Sequence, residues 1–174
     1  MSESARRLPS LYRKTLTSWG SVVAVVVLTG GVLGSRRLEQ QAVDFLTQSL
    51  TTSARLMEAA VRTALAQGQT VETLQPVAMV LGQQASCRVT VIDPAGTVLG
   101  DSEQTETTVP LMENHKDRPE VRDALAGGVG TSLRYSQTVK HPMLYVALPL
   151  THERGIIGVL RVAGAHLEAI AEDV

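Results

Sequence analysis

The chain has 174 residues with a formal net charge of −1, a single cysteine and few aromatic side chains. A chain of this length forms about one domain of ordinary size, and one cysteine excludes an internal disulfide framework and a cysteine-based zinc site. Aromatic residues make up 3% of the sequence, too few for a surface that reads nucleic acid by stacking on its bases. We therefore expect no nucleic-acid partner.

Charge is divided unevenly along the chain. Residues 1–37 carry six Lys and Arg against one Glu, whereas residues 38–174 carry ten Lys and Arg against sixteen Asp and Glu. A short basic start followed by a longer acidic part is typical of a membrane-inserted segment that leads into a separate domain.

Residues 15–35 contain no charged side chain and are rich in valine. A helix needs about 20 predominantly apolar residues to cross the hydrocarbon core of a bilayer, and Trp19 lies where an amphipathic ring prefers the headgroup zone. Because four basic residues precede this run and two follow it, the positive-inside rule favours a cytoplasmic N-terminus. We therefore predict a cytoplasmic basic tail at 1–14, a transmembrane helix at 15–35 and an extracytoplasmic remainder in the cell membrane. A cleaved signal peptide is the alternative.

Residues 36–67 contain neither proline nor glycine, which predicts one long helix, a stalk that leads out of the membrane. Its apolar side chains recur at steps of three and four and form a single stripe. Two interpretations remain open: the stripe packs on the following domain, or it pairs with a second copy in a homodimer. The stripe comprises Leu38, Ala42, Phe45, Leu46, Leu50, Ala54, Met57, Val61 and Leu65.

The pattern then changes to that of a small mixed domain at 68–165. A second helix, Val71 to Gln84, is expected to end near a glycine, and alternating or continuously apolar segments typical of strands follow it. Short connections between the later segments make the sheet mostly antiparallel. We predict an α+β fold with a five-stranded antiparallel sheet, covered by helices on one face and loops on the other. The strands are placed at 88–93, 97–101, 130–136, 143–150 and 155–163.

A dense polar segment, Glu-Asn-His-Lys-Asp-Arg-Pro-Glu at 113–120, precedes a third, short helix. Pro119 suits the first helical turn, and Asp117 is the expected N-cap. Glu120 then adds favourable charge at the positive end of the helix. Part of this polar segment therefore has a structural explanation. Residues 166–174 are predicted to begin a C-terminal helix.

Three stretches of this sequence resemble a known family: RVTVIDPAGTVLGDSE, MENHKDRPEVRDALAGGVGTSLRYS, and MLYVALPL with GIIGVLRVA. They are similar to the N-terminal sensor region of membrane histidine kinases of the phosphate-regulon type. The resemblance covers about residues 15–170 and implies a single-Cache, or PAS-like, extracytoplasmic sensor domain.

The resemblance implies a parent protein that autophosphorylates with ATP and Mg²⁺ and passes the phosphoryl group to a response regulator. The sequence contains no phosphoacceptor-histidine helix and no ATP-binding domain. We therefore expect this chain to be a fragment that stops before the kinase core, with no enzymatic activity and no cofactor of its own. It would pass a conformational signal through its helices. The alternative is a membrane-anchored binding module of a chemoreceptor or another regulator.

We predict neither a catalytic nor a metal site, because the four histidines His115, His141, His152 and His166 match no metal-binding spacing. In a PAS-like fold a ligand would lie between the sheet and the segment that crosses it, here 102–127. That segment either binds a small anionic ligand through paired arginine donors, or seals the fold by hydrogen bonds to the sheet and leaves signalling to a protein partner. The candidate ligand-binding residues are Asp101, Asn114, His115, Arg118, Arg134, Tyr135 and Tyr145.

Overall fold

A computed structural model describes residues 10–68, 70–136, 142–153 and 155–165. The helices are α1 (Ser10–Gln67), α2 (Val71–Ala85) and α3 (Pro119–Leu125), with a 3-10 turn at Val109–Leu111. The strands are β1 (Arg88–Ile92), β2 (Val98–Asp101), β3 (Gly130–Tyr135), β4 (Pro142–His152) and β5 (Gly155–Ala165).

The chain divides into two compact units, Met1–Gln41 and Ala42–Val174. In the first unit the described part is the beginning of α1, where Trp19 and the side chains from Val23 to Thr29 are exposed. Across the described residues, no helix combines the length and hydropathy that a membrane crossing needs. Most of the predicted basic tail and the predicted C-terminal helix at 166–174 lie outside the described residues.

The second unit is built on a five-stranded sheet in the order β2-β1-β5-β4-β3, and every neighbouring pair is antiparallel. This confirms the predicted α+β fold and its sheet. The long pair β4 and β5 lies near the middle and is dominated by Val, Leu and Ala, as expected for strands buried on both faces. Residues Tyr145 of β4 and Arg161 of β5 are two positions apart in register, because Tyr145 pairs with Ala163.

One face of the sheet is covered by α2 and by the part of α1 that follows residue 41. Side chains of α1 from Leu50 to Leu65 join a buried cluster with strand residues such as Val91, Val146 and Val162. The stripe predicted on this helix is therefore occupied by the chain's own sheet, at least from Leu50 onward.

The placement of Phe45 on this stripe was wrong, because its side chain is 73% exposed. Leu46 packs against the core instead. The steps from Leu46 through Leu50 and beyond keep to one side of a helix that turns about 100° per residue. Phe45 stands one residue behind this series and points away from the sheet.

The opposite face is covered by the segment between β2 and β3, and α3 packs there together with the 3-10 turn. Val109, Val121 and Ala124 form a second buried cluster with Ile92 and Val159. The prediction assigned loops to this face and a short helix to the segment that crosses it, and the structure shows that this helix is part of the core. A helix of only two turns buries enough apolar surface here to complete the core.

Helix α2 has nearly the predicted bounds, whereas the N-cap of α3 differs from the prediction. Arg118, not Asp117, is the N-cap of α3. Because Pro119 holds the first helical position, its ring forces the preceding residue into an extended conformation, which is that of a cap. Helix α2 continues past Gly82 to Ala85.

Candidate ligand-binding cavity

The polar segment 113–120 is fastened to the turn between β1 and β2. The side chain of Asn114 donates to the carbonyl oxygen of Ala95 at 3.0 Å, and the backbone N–H of His115 donates to the carbonyl oxygen of Gly96 at 2.8 Å. Gly96 has φ = +92°, and a side chain there would collide with Asn114 and Lys116. The turn therefore requires glycine both for its backbone conformation and for the close approach of the polar segment.

Between this segment and the sheet lies a cavity of about 590 Å³. The crossing segment contributes one wall and the strands β1, β3, β4 and β5 the other. Five of the seven predicted site residues line it: His115, Arg118, Arg134, Tyr135 and Tyr145.

The remaining two predicted residues do not line the cavity. Asn114 is exposed and holds the segment to the hairpin turn, as described above. Asp101 is fully buried and pairs with Arg88. Each of these two side chains fits the sealing role rather than the ligand-binding role.

Asp101 is the centre of a buried polar cluster at one end of the cavity. Its carboxylate accepts from Arg88 Nε, with distances of 3.0 and 3.1 Å to the two oxygens, and from the Thr90 hydroxyl at 2.8 Å. The backbone N–H of Glu103 donates to it at 3.0 Å. Each carboxylate oxygen of Asp101 therefore accepts hydrogen bonds from within the protein, as buried charges require.

A second buried cluster surrounds Tyr145. The guanidinium of Arg134 lies 4.0 Å from the centre of the tyrosine ring, and that of Arg161 lies 5.2 Å from it. Both arginines approach one oxygen of Glu120, at 3.1 Å from Arg134 Nη2 and 3.6 Å from Arg161 Nη1. Arg161 also donates to the Thr90 hydroxyl at 3.1 Å, which connects this cluster to that of Asp101.

His115 is buried, and burial is the main reason that its pKa falls to about 4. The nearby Arg161 cation lowers the pKa further. The imidazole is therefore neutral at neutral pH. Its Nδ1 lies 2.7 Å from the carbonyl oxygen of Glu113; because a carbonyl can only accept, Nδ1 carries the proton and Nε2 is an acceptor.

Arg118 is the most exposed of the four arginines that line the cavity. It pairs with Glu113 at 3.5 Å, and the Glu113 carboxylate is 87% exposed. Ion pairs with so exposed a partner contribute little free energy. Arg118 can therefore exchange this partner for another anion at small cost.

The cavity is suited to anions rather than cations. Four guanidinium groups line it, those of Arg88, Arg118, Arg134 and Arg161, and Glu113 supplies the one carboxylate of the lining among the described residues. Burial lowers the pKa of Arg161 to about 10, so this side chain is still protonated at neutral pH. No group of three or more His, Cys, Asp and Glu side chains suited to a metal ion occurs in the described part of the chain.

Sequence reasoning missed Arg88, Arg161 and the pairing role of Glu120. Arg161 interrupts the apolar strand Val-Leu-Arg-Val-Ala, and a charge within such a strand indicates a buried partner. That signal was present. The sequence analysis assigned Glu120 only a favourable charge in the first turn of a helix. It did not predict the contact of Glu120 with Arg161, which lies 41 residues further along the chain.

Comparison with known proteins finds likeness in structure but not in sequence. No protein-family model matches the chain, and no curated protein matches it. The sensor domain of Escherichia coli DcuS is similar with a TM-score of 0.57 and 17% identity, and the match covers 76% of this chain and 96% of that one.

Two further solved structures share the fold. The ligand-binding domain of the Campylobacter jejuni chemoreceptor Tlp3, in complex with L-valine, gives a TM-score of 0.59 at 17% identity over 90% of this chain and 62% of that one. The sensor domain of the Vibrio cholerae histidine kinase DctB gives 0.51 at 16% identity over 93% and 60%. This chain thus spans about three fifths of the Tlp3 and DctB chains. Its fold is that of Cache-like sensor domains of histidine kinases and chemoreceptors.

Proposed function

We propose that this chain is a sensor module that binds a small anion in the cavity between the crossing segment and the sheet. The observation that carries the proposal is the lining of that cavity, which contains four arginines and one residue with a carboxylate, Glu113. Arginine pairs carboxylates and phosphates through two parallel N–H donors, which adds geometric specificity to charge attraction. The likeness to sensor domains supports a sensory rather than a catalytic role.

Binding would draw together two parts of the domain that the cavity separates. Arg118 and His115 belong to the crossing segment, whereas Arg134 and Arg161 belong to strands of the sheet. An anion that contacts both sides stabilises the packing in which they are closest. A ligand shifts a conformational equilibrium only by its differential affinity for the two states, and a few kcal/mol is sufficient.

The signal would leave through α1. The other face of the same sheet packs against α1 residues from Leu50 to Leu65, so a change in the sheet alters the surface on which this helix rests. Small rotations or shifts of packed helices are a common form of switching. Anchoring in the membrane by residues 15–35, with the sensor domain outside the cytoplasm, is supported by the uncharged run in the sequence.

The parent protein in this proposal is a sensor histidine kinase of the phosphate-regulon type. It works as a homodimer and reaches a response regulator through its kinase core. The sequence resemblance supports this choice, and DcuS and DctB supply the matching fold. A chemoreceptor module is the second candidate, supported by the fold likeness to Tlp3.

The test is thermal unfolding of the 174-residue chain with acetate, propionate, succinate and inorganic phosphate. At least one anion is expected to raise the unfolding temperature of the wild type, since a ligand at 100 times its Kd adds about 2.7 kcal/mol to the free energy of unfolding. Arg118→Gln should reduce that response. Arg122→Gln is the matched control, because Arg122 is exposed and pairs only loosely with Asp123 at 3.9 Å.

Failure of every anion to stabilise the wild type would contradict ligand binding and favour the interpretation in which the crossing segment only seals the fold. Membrane anchoring is tested separately. The chain should stay with membranes after alkaline carbonate extraction, and its release would refute the anchor.

A further inference from the structure

Two arginines in the cavity share one carboxylate. Glu120 is fully buried, and its Oε1 is the oxygen that both Arg134 and Arg161 approach. The second oxygen of Glu120 and the Nε atoms of both arginines have no hydrogen-bond partner among the described residues. The three side chains of this trio together carry two positive charges and one negative charge. Each of the three also has an atom without a hydrogen-bond partner among the described residues.

The other two arginines of the cavity have carboxylate partners of their own. Arg88 pairs with the buried Asp101 and with Glu103 at 3.1 Å. Arg118 pairs with Glu113, and His115 is neutral at neutral pH because its pKa is about 4. Arg134 and Arg161 are thus the two arginines of the cavity that share a single carboxylate.

The position of Glu120 is set by its backbone. It lies in the first turn of α3, whose backbone approaches the start of β3 so closely that a side chain on Gly130 would collide with the carbonyl group of Glu120. Glu120 itself does not line the cavity, whereas Arg134 and Arg161 do. The cavity is therefore lined by two fixed cations whose shared counter-ion lies behind them.

We propose that Glu120 is a specificity-determining residue that sets the ligand charge, so that the Arg134–Arg161 pair accepts a head group with one negative charge, as in a monocarboxylate. This inference rests on the proposed anion-binding function. A monoanion completes the neutralisation of the two arginines. A dianion of similar size would bring a second negative charge toward the buried Glu120 carboxylate, and like charges repel each other.

The test uses a series of variants that differ in the summed charge of Glu120, Arg134 and Arg161. The wild type has a surplus of one positive charge, Glu120→Gln has two, Arg134→Gln has none, and the double variant has one again. The 174-residue chain of each would be titrated calorimetrically with propionate and with malonate, which have the same number of carbon atoms and carry one and two charges.

The wild type is expected to bind propionate more tightly than malonate. Glu120→Gln should shift the ratio of the two Kd values toward malonate by about tenfold or more, which corresponds to about 1.4 kcal/mol. Arg134→Gln should lose propionate binding, and the double variant should regain the preference for propionate. A purely structural role for Glu120 would not produce this recovery.

An unchanged ratio in Glu120→Gln, or a double variant that does not recover propionate binding, would overturn the charge-setting role while anion binding by the wild type stands. If the wild type binds neither acid but Glu120→Gln binds malonate, anion sensing by the native chain fails and the counter-ion role of Glu120 is supported. If neither the wild type nor any variant binds either acid, both the charge-setting role of Glu120 and the proposed anion-binding function are overturned. If Glu120→Gln does not fold, the double variant, which has the same surplus of one positive charge as the wild type, decides alone. A preference for propionate supports the charge-setting role, and the absence of that preference contradicts it.

Discussion

Replacing Asp101 by asparagine removes the charge that neutralises Arg88 in the interior and changes little else in shape. Asp101 is fully buried at the end of β2. Its carboxylate accepts from Arg88, from the Thr90 hydroxyl and from the Glu103 backbone N–H. An asparagine keeps one acceptor oxygen, and it presents an N–H₂ group to one of these donors.

The expected cost follows from the environment of Arg88. Breaking a buried ion pair by removing one partner costs about 3–5 kcal/mol, because an unpaired charge stays buried. Arg88 keeps its contact with Glu103, but the Glu103 side chain is 40% exposed, and such partners are worth at most about 1 kcal/mol. We therefore expect a loss near the lower limit, about 3 kcal/mol, a large fraction of the 5–15 kcal/mol that typically stabilises a domain.

Urea unfolding of the 174-residue chain, followed by circular dichroism, measures this loss as a lower midpoint with an unchanged m value. The melting temperature should fall by roughly 6–12 °C. Asp123→Asn is the matched control, since the Asp123 side chain is 54% exposed and its loss should change stability by less than about 0.5 kcal/mol. If the two variants differ by less than about 1 kcal/mol, the buried Arg88–Asp101 pair is not the stabilising contact that its geometry indicates.

Two other predictions concern the polar segment. Gly96→Ala should destabilise the fold by at least about 1 kcal/mol more than Gly127→Ala. Both glycines have φ above +90°, but only Gly96 is enclosed by neighbouring atoms, among them those of Asn114. Equal midpoints of urea unfolding for the two variants would contradict this prediction. His115 has a pKa of about 4 in the folded chain against about 6.5 in an unfolded one, so the unfolded state takes up its proton first. The stability that neutral His115 contributes is therefore present above pH 6.5 and is lost as the pH falls toward 4. His115→Gln should flatten this dependence in urea unfolding between pH 7 and 4.5, whereas His152→Gln, at an exposed position, should retain the wild-type slope.

Local patterns along the sequence predicted the helices, the strands and the antiparallel sheet. The steps of three and four in residues 36–67 predicted the helix, and apolar segments bounded by turns predicted all five strands and their antiparallel sheet. These signals are readable because helical and strand periods depend only on neighbouring residues. The exposed position of Phe45 was not readable, because a residue at the edge of the stripe faces the core or solvent according to how the helix is rotated on the sheet.

The candidate site was predictable only in part. A polar segment next to a sheet indicated that His115 and Arg118 meet Arg134 and Tyr145, and all four line one cavity. The sequence left open whether Asp101 and Asn114 bind a ligand or seal the fold, and the structure places both in contacts within the protein. The sequence could not show that Glu120 pairs with Arg161.

What the sequence by itself determined is therefore the set of elements and the location of the polar segment. The tertiary structure decided which charges neutralise one another. The physical reason is that an ion pair depends on separations of about 3–4 Å, and such distances between α3 and β5 exist only after the crossing segment has packed on the sheet. The sharing of Glu120 by Arg134 and Arg161 is a property of that packing and of no single stretch of the chain.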